Sequence, residues 1–431
     1  MDIQANHALI RFGLGRKGTE PLPSDPQSWL AAQLDGPDHA LDTPGASAQD
    51  GLAALQEMRQ DKTLRGRESP AAVIFKAERD ALFSRLLTSD APFRERLVLF
   101  WYNHFTVSLK RGECTAVVNA FIREAIRPHV TGRFSDMAMA VMRHPAMLLY
   151  LDNAQSIGPN SPVGLRLHKG LNENLARECL ELHTVTPSAG YTQSDVTNFA
   201  KLLTGWSLEL KTPPRGFRFR PMAHEPDGQV VLGQHFPPGE PGGASAIGWL
   251  AQHPATYRNL AVKLVRHFVA DDPPTAAVQR IAAVLTRTHG DLKAASLELT
   301  RLPEAWQPLS KIRSPVDYVL AVLRAADLPP DKQPPDVFGL IANLGQPLFA
   351  APLPNGWPDT ASEWAGSEAL LRRVDWVHGF VGRLGGADAM QIADATLGPL
   401  LSDSTKREIG RAGSRQDALT LLFASPEFLR R

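Results

Sequence analysis

Asn174, Glu178 and Glu181 fall on one narrow arc of a helix predicted over 173–185, given an advance of about 100° per residue, while Leu171, Leu175, Cys179 and Leu182 fill the arc beside it. Glu178 is thereby set at the edge of an apolar face. A carboxylate there loses hydration unless a cation, a metal or several hydrogen-bond donors replace the water. Two chemistries fit. With neutral imidazole, a carboxylate makes a normal donor set for zinc, iron or manganese, so a divalent metal is the cofactor candidate. Paired with Glu181, it would serve acid–base catalysis of the kind glycosidases use. At i and i+3 the two carboxylates point the same way, so cleaving a glycosidic bond would need an opposed partner such as Asp152 or Asp195. Arg177 offers the structural alternative, an ion pair that only fixes helix register.

Three histidines are candidate metal ligands. His104 ends the apolar stripe Phe93, Leu97, Phe100 and Trp101 and is expected to point toward the core. His183 follows Glu178 by five residues, which on a regular helix puts it about 140° away. That spacing matches neither the Glu-x-x-His of di-iron bundles nor the His-Glu-x-x-His of zinc peptidases. His224, in PMAHEPDG, is placed to close a site from above, as are Asp152 and Asn153. Asn103, Asn174, Arg177 and Asp195 complete the candidate polar cleft. His104 and Glu178 each sit at the polar end of an apolar stripe, and contact between those ends is the cheaper arrangement, because carboxylate and imidazole satisfy one another directly or through a metal.

The elements that must position these residues are mostly helices. Apolar residues recur at three- and four-residue spacing over 27–34, 52–61, 71–88, 93–108, 116–127, 135–143, 173–185, 194–206, 255–269, 276–288, 292–300, 315–325 and 416–423. Thr192 with Asp195 reads as a capping box, and Ser135 with Asp136 as another helix start. The prediction is a mainly α fold, a single large multi-helix domain over 1–431, with a C-terminal subdomain from about 311 as a subdivision. One excursion interrupts it near 217–233, where FRFRP and QVVLG flank a Pro226-Asp227-Gly228 turn and read as a small β-hairpin. The Gly-, Pro-, Asn- and Ser-containing stretch 155–170 is predicted to be a flexible loop placed where a lid would be.

Composition narrows the function classes. With 46 basic and 45 acidic residues the net charge is +1, so no global field recruits nucleic acid or an anionic membrane. No run of about 18 apolar residues exists to span a bilayer, and the amino terminus lacks a signal-peptide stretch, which reads as cytoplasmic. Cys114 and Cys179 suit buried fillers better than a disulfide framework. The chain has no Gly-x-Ser-x-Gly elbow, no phosphate loop and no dinucleotide fingerprint after a strand. The paired glycines of Arg11-Phe12-Gly13-Leu14-Gly15-Arg16 read as a helix C-cap and turn. Most tryptophans read as core anchors, with Trp206 also a candidate stacking platform.

Six stretches, in order, carry a family resemblance: RERLVLFWYNHFTVS (94–108), HPAMLLYLDN (144–153), NENLARECLELHTV continuing to GYTQSDVTNFAKLLTGW (172–206), HPATYRNLAVKLVRHFVADDPP (253–274), KIRSPVDYVLAVLRA (311–325) and LGQPLFAAPLPNGWPD (344–359). The chain resembles the bacterial domain of unknown function 1800 (DUF1800) along nearly its whole length. The family pattern reads His-Asn-His where this chain has Tyr102, Asn103 and His104, which removes the first histidine from any shared role. The resemblance implies a protein partner from a second family, the domain of unknown function 1501 (DUF1501), and export in company with a signal-bearing partner as the alternative to a cytoplasmic location. The leading expectation is an enzyme with a polar, metal-binding cleft around His104 and Glu178, its chemistry hydrolytic or oxidative. The alternative is a non-catalytic partner or scaffold protein.

Overall fold

The computed structural model describes residues 3–18, 20–168, 170–328, 334 and 336–431. The fold is mainly α, and the helices begin where side chains can take up free N–H groups. Ser47 and Asp50 form a capping box for Ala48–Gln60, Thr192 and Asp195 do the same for Gln193–Leu203, and Ser314 caps Pro315–Ala326 with proline in its first turn. The start expected at Ser135 lies one residue earlier, because the Phe134 N–H is taken by the Gly290 carbonyl at 2.9 Å and no side-chain cap is used.

Among the described residues two hydrophobic cores form. The larger gathers Phe93, Leu97 and Trp101 of Pro92–His104 with Leu175 and Cys179, Val196 and Phe199, and Leu260, Leu264 and Phe268 of Pro254–Phe268. The second is built by Pro315–Ala326 and the helices Ser367–Val381, Ala389–Thr396 and Arg415–Phe423, joined by Ile10, Leu14, Phe83, Leu86 and Leu87 from far upstream. Pro92–His104 bridges them, since Leu99 packs on the second core while its other apolar residues serve the first.

The β excursion is two antiparallel pairs instead of one. β1 (Trp206–Glu209) pairs with β2 (Gly216–Phe219), Trp206 opposite Phe219, and β3 (Gln229–Val231) pairs with β4 (Gln234–Phe236). FRFRP therefore turns back to Trp206, which lies buried in a strand and not at a helix end. The stretch 155–170 is also unlike its expectation. It contains the helix Pro162–Leu167, capped by Ser161, and is fastened to the segment after β2. Gly158 N–H donates to the Ala223 carbonyl at 2.8 Å, and Asn160 donates from its backbone and side chain to the buried Glu225 carboxylate at 3.0 and 2.6 Å. A Cβ on Gly158 would lie 2.5 Å from Glu225 N, so the close approach itself requires glycine there. A segment held in this way is an anchored strut, not a lid.

The predicted helix 173–185 is α only over Asn174–Glu178 and continues as a π-turn over Cys179–His183. Such a turn widens the helix, and it moves His183 from the position a regular helix would give it. His183 is fully buried, whereas Glu178 remains half-buried.

Candidate functional site

The polar residues singled out from sequence are dispersed. Glu178 has no hydrogen-bond partner among the described residues; burial first, then Glu181, raises its pKa, with Arg177 opposing. Arg177 instead donates to Glu173 at 2.8 Å and to Gln193 at 3.0 Å. Asn174 is exposed. Asp195 caps its helix and accepts from Leu232 N–H at 2.6 Å. Asp152 pairs with Arg111 from a left-handed backbone conformation, φ 58°. Asn153 donates to the Leu203 and Trp206 carbonyls, both at 3.1 Å, and so ties β1 to the preceding helix.

The histidines part company as well. His224 Nδ1 bonds the Thr204 carbonyl at 2.8 Å, and Nε2 accepts from Gly239 N–H at 2.7 Å, which leaves no lone pair for a metal. His104 meets His183 but not Glu178: Nε2 lies 3.2 Å from the His183 carbonyl, and Nδ1 lies 3.2 Å from the amine of Lys263, which also donates to the Leu182 carbonyl at 2.9 Å. The expected direct contact of His104 with Glu178 is not made, because a lysine from Pro254–Phe268 occupies the imidazole. Burial, then Lys263, holds both histidines neutral, His183 at about 3. Among the described residues no three His, Cys, Asp or Glu side chains are grouped as metal ligands, so His104, Glu178, His183 and His224 do not form the expected centre. Cys114 and Cys179 are free and buried, their thiols pushed up to about 12 by burial.

A different set converges at the seam between the two cores. There a cavity of about 100 Å³ is lined by Phe100, Leu348, Phe349 and Trp357 on its apolar side and by Arg96, Asn103, His267, Asp317, Asp359 and Arg431 on its polar side. Asn103 is the one sequence-predicted residue among them. Its amide clamps the Gly356-Trp357-Pro358 turn, accepting from Trp357 N–H at 2.8 Å and donating to the Trp357 carbonyl at 2.9 Å. That turn places Asp359, whose Oδ2 lies 2.6 Å from His267 Nδ1. Arg431 spans the site, donating from Nη1 to the His267 carbonyl at 2.9 Å while Nη2 lies 3.3 Å from Asp359 Oδ1 and Nε 2.9 Å from Asp317 Oδ2. The other oxygen of Asp317 accepts from Arg96 Nη1 at 3.1 Å, and Arg96 Nε donates to the Gly13 carbonyl at 2.6 Å. Gly13 does close a helical turn, as its position predicts, and its carbonyl is put to use in this network. Lys311 completes the wall behind, ion-paired with Asp271 and donating to the Asp359 carbonyl at 2.8 Å.

The electrostatics favour a neutral imidazole between charged groups. Burial first, then Arg431 and Arg96, outweigh Asp359 and lower His267 to about 4. Burial opposes ionisation of Asp359, but His267, Arg431 and Lys311 outweigh it and hold its carboxyl at about 2. Asp317 is driven still lower: Arg96, Arg431, His267 and Arg313 overcome its burial. With Asp359 ionised, His267 Nδ1 carries the proton and Nε2 is the acceptor, the arrangement in which a carboxylate orients a histidine for proton transfer. Nε2 is buried without a partner.

None of His267, Asp359, Arg431, Asp317 or Arg96 stood out by spacing, because each lies on a different element. A signal was nonetheless present: four of the six stretches that carry the resemblance supply Arg96 and Asn103, His267, Asp317, and Trp357 with Asp359. No helix among the described residues is long and apolar enough to cross a membrane. Comparison with curated proteins and with solved structures finds no match. The family model described as a protein of unknown function, DUF1800, matches residues 7–430, nearly the whole chain and every cavity-lining residue except Arg431, and the chain belongs to that family.

Proposed function

We propose that the protein is an enzyme whose reaction takes place in the cavity at the seam, with His267 accepting a proton from bound substrate and Asp359 orienting and stabilising the imidazole. The observation that supports this is the His267–Asp359 pair at 2.6 Å, with Nε2 unpartnered on a residue that lines the cavity. His7 and His183 also leave ring nitrogens unpartnered, so what sets His267 apart is its carboxylate partner together with its place on the cavity wall. A base held near 4 is weak, but its depression comes partly from Arg431 and Arg96, and an anion bound between them would raise it toward neutrality. This reading replaces the cleft around His104 and Glu178 and needs no resident metal to account for the geometry. The test is incubation of a mixed metabolite extract with the protein, followed by mass spectrometry. A compound consumed by the wild type and spared by a folded His267→Gln variant supports it; equal consumption by both sinks it.

The non-catalytic reading, a partner or scaffold acting with a DUF1501-like protein, draws support from the His104–His183–Lys263 cluster, whose hydrogen bonds join Pro92–His104 and Pro254–Phe268 to the Cys179–His183 turn. Co-expression with such a protein and size-exclusion chromatography would decide it, separate elution at tens of micromolar counting against a stable complex.

A further inference from the structure

The segment that presents Asp359 is fastened through its main chain by groups from several elements. Upstream, Leu109 N–H donates to the Phe349 carbonyl and Ser108 Oγ to the Ala351 carbonyl, both at 2.8 Å. At the turn, the carbonyls of three successive residues are taken by three different donors: Trp357 by Asn103 Nδ2 at 2.9 Å, Pro358 by Trp364 Nε1 at 3.0 Å and Asp359 by Lys311 Nζ at 2.8 Å. Asn103 Oδ1 also accepts from Trp357 N–H at 2.8 Å, and Ala361 N–H donates to Asp271 Oδ2 at 2.6 Å. The peptide planes on either side of Asp359 are thereby both held, and with them the direction in which its carboxylate leaves the chain. Oδ2 meets His267 Nδ1 at 2.6 Å, while Lys311 Nζ and Arg431 Nη2 stand 3.7 and 3.3 Å from Oδ1. A turn that shifted would offer Oδ2 to those cations instead.

We infer that Asn103 is a positioning residue for His267: by bracing Trp357 on both its N–H and its carbonyl, it sets where the Asp359 carboxylate meets Nδ1, and so which ring nitrogen carries the proton. Its own carbonyl is braced in turn, accepting from Thr106 Oγ1 at 2.8 Å. Asn103 carries no charge, so replacing it changes the imidazole only through the groups that it lets move. Replacing Arg431 or Lys311 would change the field as well. Any part in catalysis rests on His267 and Asp359 being the reacting pair, whereas the placing of the proton does not.

The experiment is nitrogen NMR of the histidine rings in the full chain at pH 7, where His267 is neutral and its two tautomers give separate signals. The wild type is expected to hold the Nδ1–H form. In Asn103→Ala the ratio of Nδ1–H to Nε2–H should fall at least about tenfold, the effect of losing one hydrogen bond to a charged group. Trp364→Phe keeps an aromatic ring and removes only the donor to Pro358; it should move the ratio the same way by less, and it serves as the test if Asn103→Ala does not fold. Asn153→Ala removes two bonds from another buried asparagine, away from the seam, and should leave the ratio as it was. An unchanged ratio in folded Asn103→Ala, or in Trp364→Phe where that is the variant that folds, would overturn the inference, as would an equal fall in Asn153→Ala, which would mean general loosening. A falling ratio together with no compound spared by His267→Gln would remove the catalytic reading and leave the positioning standing. Turnover through His267 with a ratio that Asn103→Ala leaves unchanged would do the reverse.

Discussion

His267 illustrates how much a single residue depends on charges supplied from elsewhere. Its pKa, held at about 4 by burial and then by Arg431 and Arg96, should rise in an Arg431→Met variant, and NMR titration of the imidazole would show it; a value unchanged or lower would mean the arginine does not face the ring. Histidines kept neutral also set a pH dependence. His7, His183 and His267 have folded pKa values of about 4, 3 and 4, below the ordinary 6.5, so the unfolded chain binds protons first as pH falls. Stability is then complete above about pH 6.5 and is lost as pH falls toward 4, by on the order of 2 to 3 kcal/mol for each histidine. Denaturant melts at pH 7, 5.5 and 4.5 should show a falling midpoint; a flat profile would contradict neutral burial. Glu178 behaves in the opposite way. Lacking a hydrogen bond and with its pKa raised by burial, it should tolerate Glu178→Gln within about 0.5 kcal/mol, and a loss above 1 kcal/mol in chemical denaturation would reveal a missed partner. Its amphipathic position was readable in the sequence, but its partners were not, since helical phase gives direction and says nothing of which element arrives opposite.

At the scale of elements, existence was legible and pairing was not. Helices such as Pro70–Thr88 and Thr275–Arg287 lie within a residue of the periodic pattern that predicts them. Ser367–Val381, which escapes that reading, spreads its buried positions thinly, with Arg373 among them. The strand FRFRP was recognisable as extended chain, yet its partner is fixed by Gly216 and by the burial of Trp206, neither of which alternation reveals. The turn that carries Asp359 is the element most exposed to test. Asn103→Ala removes both of its bonds to Trp357 and should cost about 1 to 3 kcal/mol. Gly356→Ala should do comparable damage for another reason: φ is +79° there and a Cβ would stand 2.4 Å from the Asn103 carbonyl oxygen. Urea melts measure both; unchanged stability in either variant would show that the turn is not clamped.

For the whole molecule the seam is the decisive feature, and it was the least legible. Asp317 receives Arg96 from one core's bridging helix and Arg431 from the chain's far end, so one carboxylate joins segments that sequence distance keeps apart. Breaking a buried pair from one side leaves uncompensated charge, at about 3 to 5 kcal/mol. Asp317→Asn should therefore destabilise by that order and also separate the cores, so that tryptophan fluorescence and circular dichroism report different unfolding midpoints. A single shared transition would mean that apolar contacts alone couple them. The second core's own helices begin at Pro315, but Ile10, Leu14 and Phe83 also belong to that core, and hydrophobic periodicity has no means of announcing such crossings.

The reach of Arg431 has a consequence in time. Its bond to the His267 carbonyl spans 164 residues, which at about 5 to 20 residues per second take roughly 8 to 33 s to synthesise. Throughout that interval the helix bearing His267 exists without the guanidinium that will span the site, and Asp317, about 50 residues further on, is made part-way through it. During synthesis the helix bearing His267 can thus pack on the first core before its carbonyl meets the guanidinium that spans the seam.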